Sequence, residues 1–213
     1  MSKPIIGIAG AGKLGITLAQ IARESGYEVL VATSKPAEKI ELTVSVLAPG
    51  AQAVSLQELG EKADIIILAL PLSKYQNLPR EIFLGKLVID AMNYWWEVDG
   101  ENDYYFANQT TTSESVAAYL NGSTVVKAFN HMGYHDLATE SKKQGDDKKV
   151  IALAGNDSES LKVVEELIID FGFLPLLIGD LASGAVLEPG TPLFGANLRM
   201  ADFKEVLETL QNS

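Results

Sequence analysis

Gly10-Ala11-Gly12-Lys13-Leu14-Gly15 has the spacing G-x-G-x-x-G. That spacing handles a pyrophosphate when it joins a strand to a helix. The first glycine permits a tight turn, the second lets the backbone approach the phosphates, and the third lets the helix pack closely on the strand. The phosphate charge then rests at the positive end of the helix dipole. The required setting is legible around the motif. Pro4–Ala9 is an almost wholly apolar run, as in a strand covered on both faces. From Lys13 to Ser25, Leu14, Leu18 and Ile21 share one helical face, and Gly26 ends the helix. A second strand is expected at Glu28–Ala32. A rival phosphate loop is also present in outline, since Gly7, Gly12 and Lys13 have P-loop spacing. The next residue is Leu14, however, so the hydroxyl that would bind magnesium is missing.

The end of the second strand carries the next chemical signal. A site for NAD places an acid here to hold the ribose 2′-hydroxyl. No Asp or Glu occurs from Val29 through Ala37. Thr33, Ser34 and Lys35 instead suit a 2′-phosphate, with Lys39 one turn further on. NADP(H) is therefore expected over NAD(H). The competing reading is an ordinary polar loop, since Lys35 lacks the planar fork of an arginine.

Three further strand ends bear on the same ligand, because ligands of open α/β sheets lie beyond the carboxyl ends of the strands. These ends are Ala69-Leu70-Pro71, Ala91-Met92-Asn93 and the stretch closing on Asn130 and His131. Small residues and amides there fit the nicotinamide ribose and carboxamide. Asn93 and Asn130 are equally compatible with simple turn chemistry. His131 and His135 stand four apart, but Gly133 lies between them and the glutamate of a zinc-protease helix is missing, so no metal is expected. His131 is a candidate for substrate contact or equally a surface histidine. Trp95 and Trp96 are candidates for a wall against a flat aromatic substrate. Cover for a core edge or a subunit interface is the simpler reading.

Other chemistries are excluded by residue type. The 213 residues contain no cysteine, which removes disulfides, thiolate metal sites and a cysteine nucleophile. No G-x-S-x-G elbow is present. No tyrosine is followed four residues later by lysine, so the proton relay of short-chain dehydrogenases is missing. The net charge of -11 disfavours nucleic acid and anionic membrane surfaces as partners. No apolar run reaches the ~20 residues of a membrane span. No signal peptide is read at the start, and the expected compartment is cytoplasmic.

The elements that must position these residues alternate between strand and helix patterns, the mark of a mainly parallel sheet. After the second strand come a helix at about Pro36–Leu47, a short strand at Ala53–Val54, a short helix at Leu56–Lys62 and a strand at Ile65–Leu70. Leu87–Asp90 is the next strand, and Tyr94–Thr110 reads as an irregular loop. Thr111 and Glu114 form a capping box for a helix to about Leu120. Strands follow at Thr124–Phe129, Val150–Ala154 and Leu174–Ile178. The charged stretch Lys142–Lys149 is a solvated turn. Asn156 or Asp157 caps a helix whose Leu161, Val164, Ile168 and Phe171 share a face. A helical tail is expected from Gly195 to Leu210. The expected fold is thus α/β, a Rossmann-type doubly wound sheet in one domain over 1–213. Residues 1–130 form the dinucleotide-binding core, and 131–213 extend the sheet and end in the helical segment.

These residues together resemble the NADPH-dependent reductases of the deazaflavin coenzyme F420, including the related domain of metalloreductases. The likeness rests on Gly10–Gly15, on Thr33-Ser34-Lys35 and on Val88-Ile89-Asp90-Ala91-Met92-Asn93. It continues through Val125-Val126-Lys127-Ala128-Phe129-Asn130, Ala154-Gly155-Asn156-Asp157, Gly172-Phe173, Leu187-Glu188 and Thr191-Pro192-Leu193. The resemblance implies an NADP enzyme, a homodimer, and a flavin-like partner stacked near the nicotinamide. It also implies hydride transfer by alignment of two rings rather than by a protein acid or base. The family commonly has proline after the asparagine at position 93, where this chain has Tyr94-Trp95-Trp96. The acceptor is therefore open among a deazaflavin, a flavin, and a small quinone or carbonyl compound. A non-catalytic NADP(H)-binding redox sensor or partner module is the alternative, because no proton donor is evident.

Overall fold

A computed structural model describes residues 3–100, 110–142 and 145–211 of the chain. The first half follows the expected alternation. The strands are β1 (Ile6–Ala9), β2 (Val29–Ala32), β3 (Gln52–Ala53), β4 (Ile65–Leu68) and β5 (Leu87–Asp90), and the helices are α1 (Lys13–Glu24), α2 (Glu41–Leu47) and α3 (Leu56–Lys62). The second half contains α4 (Trp96–Asp99), α5 (Thr112–Tyr119), β6 (Thr124–Ala128), α6 (Tyr134–Glu140), β7 (Val150–Gly155), α7 (Ser158–Asp170), β8 (Leu174–Leu177) and α8 (Met200–Gln211).

The eight strands form one sheet in the order β3-β2-β1-β4-β5-β6-β7-β8. Its first six positions have the 3-2-1-4-5-6 order of the dinucleotide-binding fold. Neighbours are parallel except β6 and β7, which run antiparallel. Strand order reverses between β1 and β4, where Ala9 lies opposite Leu68. The loops leaving β1 and β4 diverge at that point and open a crevice.

Burial explains the strand composition. Ile6, Ile8, Val29, Val31, Ile65 and Ile67 pack on the face covered by α1 and α7, while Leu30, Ile66, Leu68 and Val88 face α3 and α5. Both faces are covered, so the strands read as continuous apolar runs. A third cluster joins Val150 and Ala152 of β7 to Leu187, Leu193 and Phe203 of the C-terminal part.

Several elements differ from the sequence expectation. The helix expected over Pro36–Leu47 is a 3-10 turn at Ala37–Lys39 followed by α2. Ile40, at φ -117° and almost fully buried, breaks the register so that its side chain reaches the core. The short helix α4 lies within the stretch Tyr94–Thr110 read as irregular; residues 101–109 of that stretch fall outside the described residues. Helix α6 carries no apolar stripe, since only Leu137 and Glu140 are buried, and this hid it from a periodicity argument. The 3-10 turns at Leu72–Asn77 and Leu181–Leu187 were equally silent. The C-terminal helix begins at Met200 rather than near Gly195.

Candidate dinucleotide and acceptor site

The glycine loop is shaped by close backbone approach. Gly10 has φ +131°, and a Cβ there would stand 2.1 Å from the carbonyl oxygen of Ala69. A Cβ on Gly15 would stand 2.1 Å from the carbonyl oxygen of Gly10. Both positions require glycine for the fold itself. Gly12 differs: a Cβ there would meet nothing within 4 Å. The space over Gly12 is open for a ligand to lie against the backbone.

The N-terminus of α1 has no side-chain cap and no acid in its first turn. Three helices carry a side-chain cap: Ser55 accepts from Glu58 N–H, Thr111 from Glu114 N–H in a full capping box, and Asp157 from Ser160 N–H. Helices α2, α4 and α6 lack one as α1 does, but each has an acid in its first turn, which α1 has not. The bare first turn of α1 leaves its N–H groups for an external acceptor. This geometry fits the pyrophosphate of a dinucleotide. Lys13 adds a cation at the same end, with Nζ 5.3 Å from the centroid of Tyr134.

Gly10, Ala11 and Gly12 line a cavity of about 400 Å³ with Thr33, Ser34, Lys35, Ala69, Leu70 and Pro71. The structure thus gathers three of the expected segments around one space, within the size range of ligand pockets. Thr33 Oγ1 accepts from the Lys35 backbone N–H at 3.1 Å, which turns the chain and leaves Ser34 and Lys35 at the surface. Lys74 and Asn77, from the 3-10 turn after β4, line the same cavity. The sequence reading missed them because that turn has no periodic signature. Leu14 and Gly15 lie in α1, with Gly15 buried against the loop.

The nicotinamide end is expected at the carboxyl ends of β5 and β6. Asn93 Nδ2 donates to the Asn130 carbonyl oxygen at 2.8 Å, and Asn130 Nδ2 donates to Asn93 Oδ1 at 3.0 Å. Asn130 Nδ2 also donates to the Leu187 carbonyl oxygen at 2.8 Å. Asn130 Oδ1 is buried and has no partner. The two asparagines therefore do more than make local turns: they tie β5 and β6 together and leave one acceptor unused. Phe129, just before Asn130, has φ +63°. A bulky residue in this region costs on the order of 1 kcal/mol, and such strain gathers at functional sites. Its ring is wedged against Phe171 at 5.6 Å, which holds the turn.

Ala91 and Met92 are buried beneath this end. Below them lies an ion pair that the sequence reading did not single out. Lys127 Nζ is 3.4 Å from Asp90 Oδ2 and donates to the Met92 carbonyl oxygen at 2.7 Å. Ser113 Oγ donates to Asp90 Oδ2 at 2.7 Å, and Met92 N–H donates to Asp90 Oδ1 at 2.9 Å. The signal was available, because a lysine inside the apolar run Val125–Phe129 demands a buried partner.

His131 is neither a substrate contact nor a surface histidine. It is 1% exposed, its Nε2 accepts from the Ala152 N–H at 3.1 Å, and its ring lies edge-on to Phe203. Burial lowers its pKa to about 4, partly opposed by the Ala196 backbone. It is a neutral packing residue that ties the β6 end to β7. His135 is exposed on α6 and stacks on Tyr134. Among the described residues no group of three or more acidic or histidine side chains is placed to hold a metal ion.

Trp95 and Trp96 are 45% and 64% exposed. With Tyr94, Glu97, Thr110–Thr112, Ala185 and Glu188–Gly190 they line a second cavity of about 560 Å³. Trp95 is held edge-on to Phe194 at 5.4 Å. Asp99 accepts from the backbone N–H groups of Ser73 and Trp95, tying α4 to the loop after β4.

Comparison with known proteins agrees with this geometry. Residues 5–94 match the model of the family described as NADP oxidoreductase, coenzyme F420-dependent. This is the family the sequence resembles. The match covers β1 through the turn after Asn93, and the family's description names NADP. The chain is also 27% identical over 187 residues to rat metalloreductase STEAP3. That alignment takes in 87% of this chain and 36% of the metalloreductase, so the chain spans about a third of that curated relative. Among solved structures, a hypothetical protein from Sinorhizobium meliloti is 28% identical with a TM-score of 0.82, covering 92% of this chain and 96% of that one. A candidate F420-dependent NADP reductase from Arthrobacter sp. has a TM-score of 0.72 at 18% identity, covering 98% and 96%, and shows the shared fold. The described residues contain no helix long and apolar enough to cross a membrane.

Proposed function

We propose that this protein is an NADPH-dependent reductase that passes hydride to a small planar acceptor. The observation that carries the reading is the pairing of an uncapped α1 N-terminus with open space over Gly12, beside a cavity lined by Ser34, Lys35 and Lys74. Gly10–Gly15 would cradle the pyrophosphate, and Thr33, Ser34 and Lys35 the 2′-phosphate. Ala69, Leu70 and Pro71 would flank the cofactor across the crevice. The reduced nicotinamide supplies the hydride when bound. Ala91, Met92, Asn93 and Asn130 would hold that end, with Asn93 the more exposed of the two asparagines.

No side chain need donate a proton for the hydride step itself. The protein aligns two rings and limits water, which can contribute several kcal/mol of the barrier through orientation alone. The flavin-like, deazaflavin or quinone-like acceptor would enter by Trp95 and Trp96, which adjoin Asn93 in the chain. We read 1–130 as the cofactor core and 131–213 as the segment that closes the acceptor side. A homodimer acting in the cytoplasm belongs to the same reading, on the strength of the resemblance.

The test is NADPH oxidation, followed by absorbance, in the presence of flavin, deazaflavin and quinone acceptors. Turnover on at least one supports a reductase. Tight NADPH binding without oxidation by any of them would return the protein to a redox sensor or partner module.

A further inference from the structure

The acceptor cavity has a charge character that narrows its substrate class. It begins one residue beyond each of two groups at the nicotinamide end: Tyr94 follows Asn93, and Glu188 follows Leu187, whose carbonyl receives Asn130. It is therefore continuous in the chain with the cofactor end. Its walls are the rings of Tyr94, Trp95 and Trp96, and its charged lining groups are Glu97 and Glu188. Glu188 is fixed by Thr112, whose hydroxyl donates to it at 2.5 Å.

No lysine or arginine occurs anywhere between Lys86 and Lys127, the stretch that carries Glu97. No lysine or arginine occurs between Lys162 and Arg199 either. These two stretches supply every described residue lining the cavity. The adenine-side cavity is the opposite, with Lys35 and Lys74 and no acid. The two cavities thus differ in charge, the first basic and the second aromatic and acidic.

We propose that the acceptor is a planar molecule carrying no anionic group, uncharged or cationic. This rests on the reductase reading and assigns its substrate class. Aromatic walls bind planar rings and attract cations, and carboxylates in a cleft repel phosphate-bearing or polycarboxylate acceptors. The acceptor takes a hydride, a proton with two electrons, from NADPH, which is left as NADP⁺. An uncharged quinone or flavin ring takes one further proton from water, whereas a cationic iminium-type acceptor becomes neutral with none.

Riboflavin and FMN provide the test, because they share a ring and differ by a phosphate. Binding of each to the protein saturated with NADP⁺, and kcat/KM with NADPH, are measured at low and high salt. Riboflavin is expected to exceed FMN on the order of tenfold in both at low ionic strength, with the gap closing as salt screens the carboxylates. Glu97→Lys, on an exposed side chain, is expected to raise FMN toward riboflavin. Equal binding of the two, a preference for FMN, or binding of neither would overturn the proposal. Riboflavin bound in preference to FMN but never reduced would uphold the charge assignment and sink the reductase reading instead.

Discussion

Lys127 Nζ and Asp90 Oδ2 face each other at 3.4 Å with neither side chain exposed, directly beneath the turn that carries Asn93. The pair is also the register of the sheet, since Asp90 on β5 lies opposite Lys127 on β6. Removing one partner leaves a charge buried alone. Lys127→Met is expected to cost about 3–5 kcal/mol. Adding Asp90→Asn to it should recover part of that loss. Thermal or denaturant unfolding of the two single variants and the double variant checks this, and strictly additive losses would contradict it.

Gly12 and its neighbours Gly10 and Gly15 separate function from folding. Gly12→Val should unfold close to the parent, because a Cβ there meets no protein atom within 4 Å. It should nonetheless weaken NADPH by on the order of tenfold or more, since the side chain would fill the space left for phosphate. Gly10→Ala and Gly15→Ala should instead lower stability, each placing a Cβ 2.1 Å from a backbone oxygen. Paired melting and NADPH titrations distinguish the two behaviours.

The glycine loop was legible because its function is written in local sequence: a turn, a close approach and a helix start. Lys35 was legible for the same reason, through the missing acid at the end of β2. Lys74 was not, because only the fold brings the turn after β4 beside the end of β2. His131 misled for a related reason. Its position at a strand end suggests the cleft, yet the chain turns at Phe129 and carries the imidazole into the packing between β6, β7 and α8. Helix α6 lacked an apolar stripe because it lies over α1 with only Leu137 and Glu140 buried.

His131 should leave a mark on the pH dependence of stability. Its pKa is lowered from 6.5 to about 4 in the folded state, so the unfolded chain binds the proton first as pH falls. Its contribution is therefore full above pH 6.5 and is lost progressively as pH drops toward 4. The loss approaches roughly 3 kcal/mol on conversion of that shift. His131→Gln is expected to flatten the stability curve between those limits. An unchanged slope would show that the histidine titrates normally in the folded protein.

Lys35 and Lys74 should act on the 2′-phosphate and on nothing else in the cofactor. Lys35→Ala is expected to weaken NADPH by roughly tenfold, the scale of one charge-assisted contact. NADH should be bound as before. Lys74→Ala should act in the same direction. The sensitivity of NADPH binding to salt should fall in each variant, as measured by titrations across ionic strength.

The most direct measurement is a pair of calorimetric titrations, NADPH and NADH, on one preparation of the unaltered protein. One site per chain and a clear preference for NADPH are expected. Equal affinities would remove the 2′-phosphate assignment at Thr33, Ser34 and Lys35, and the absence of binding by either would contradict the account at its centre.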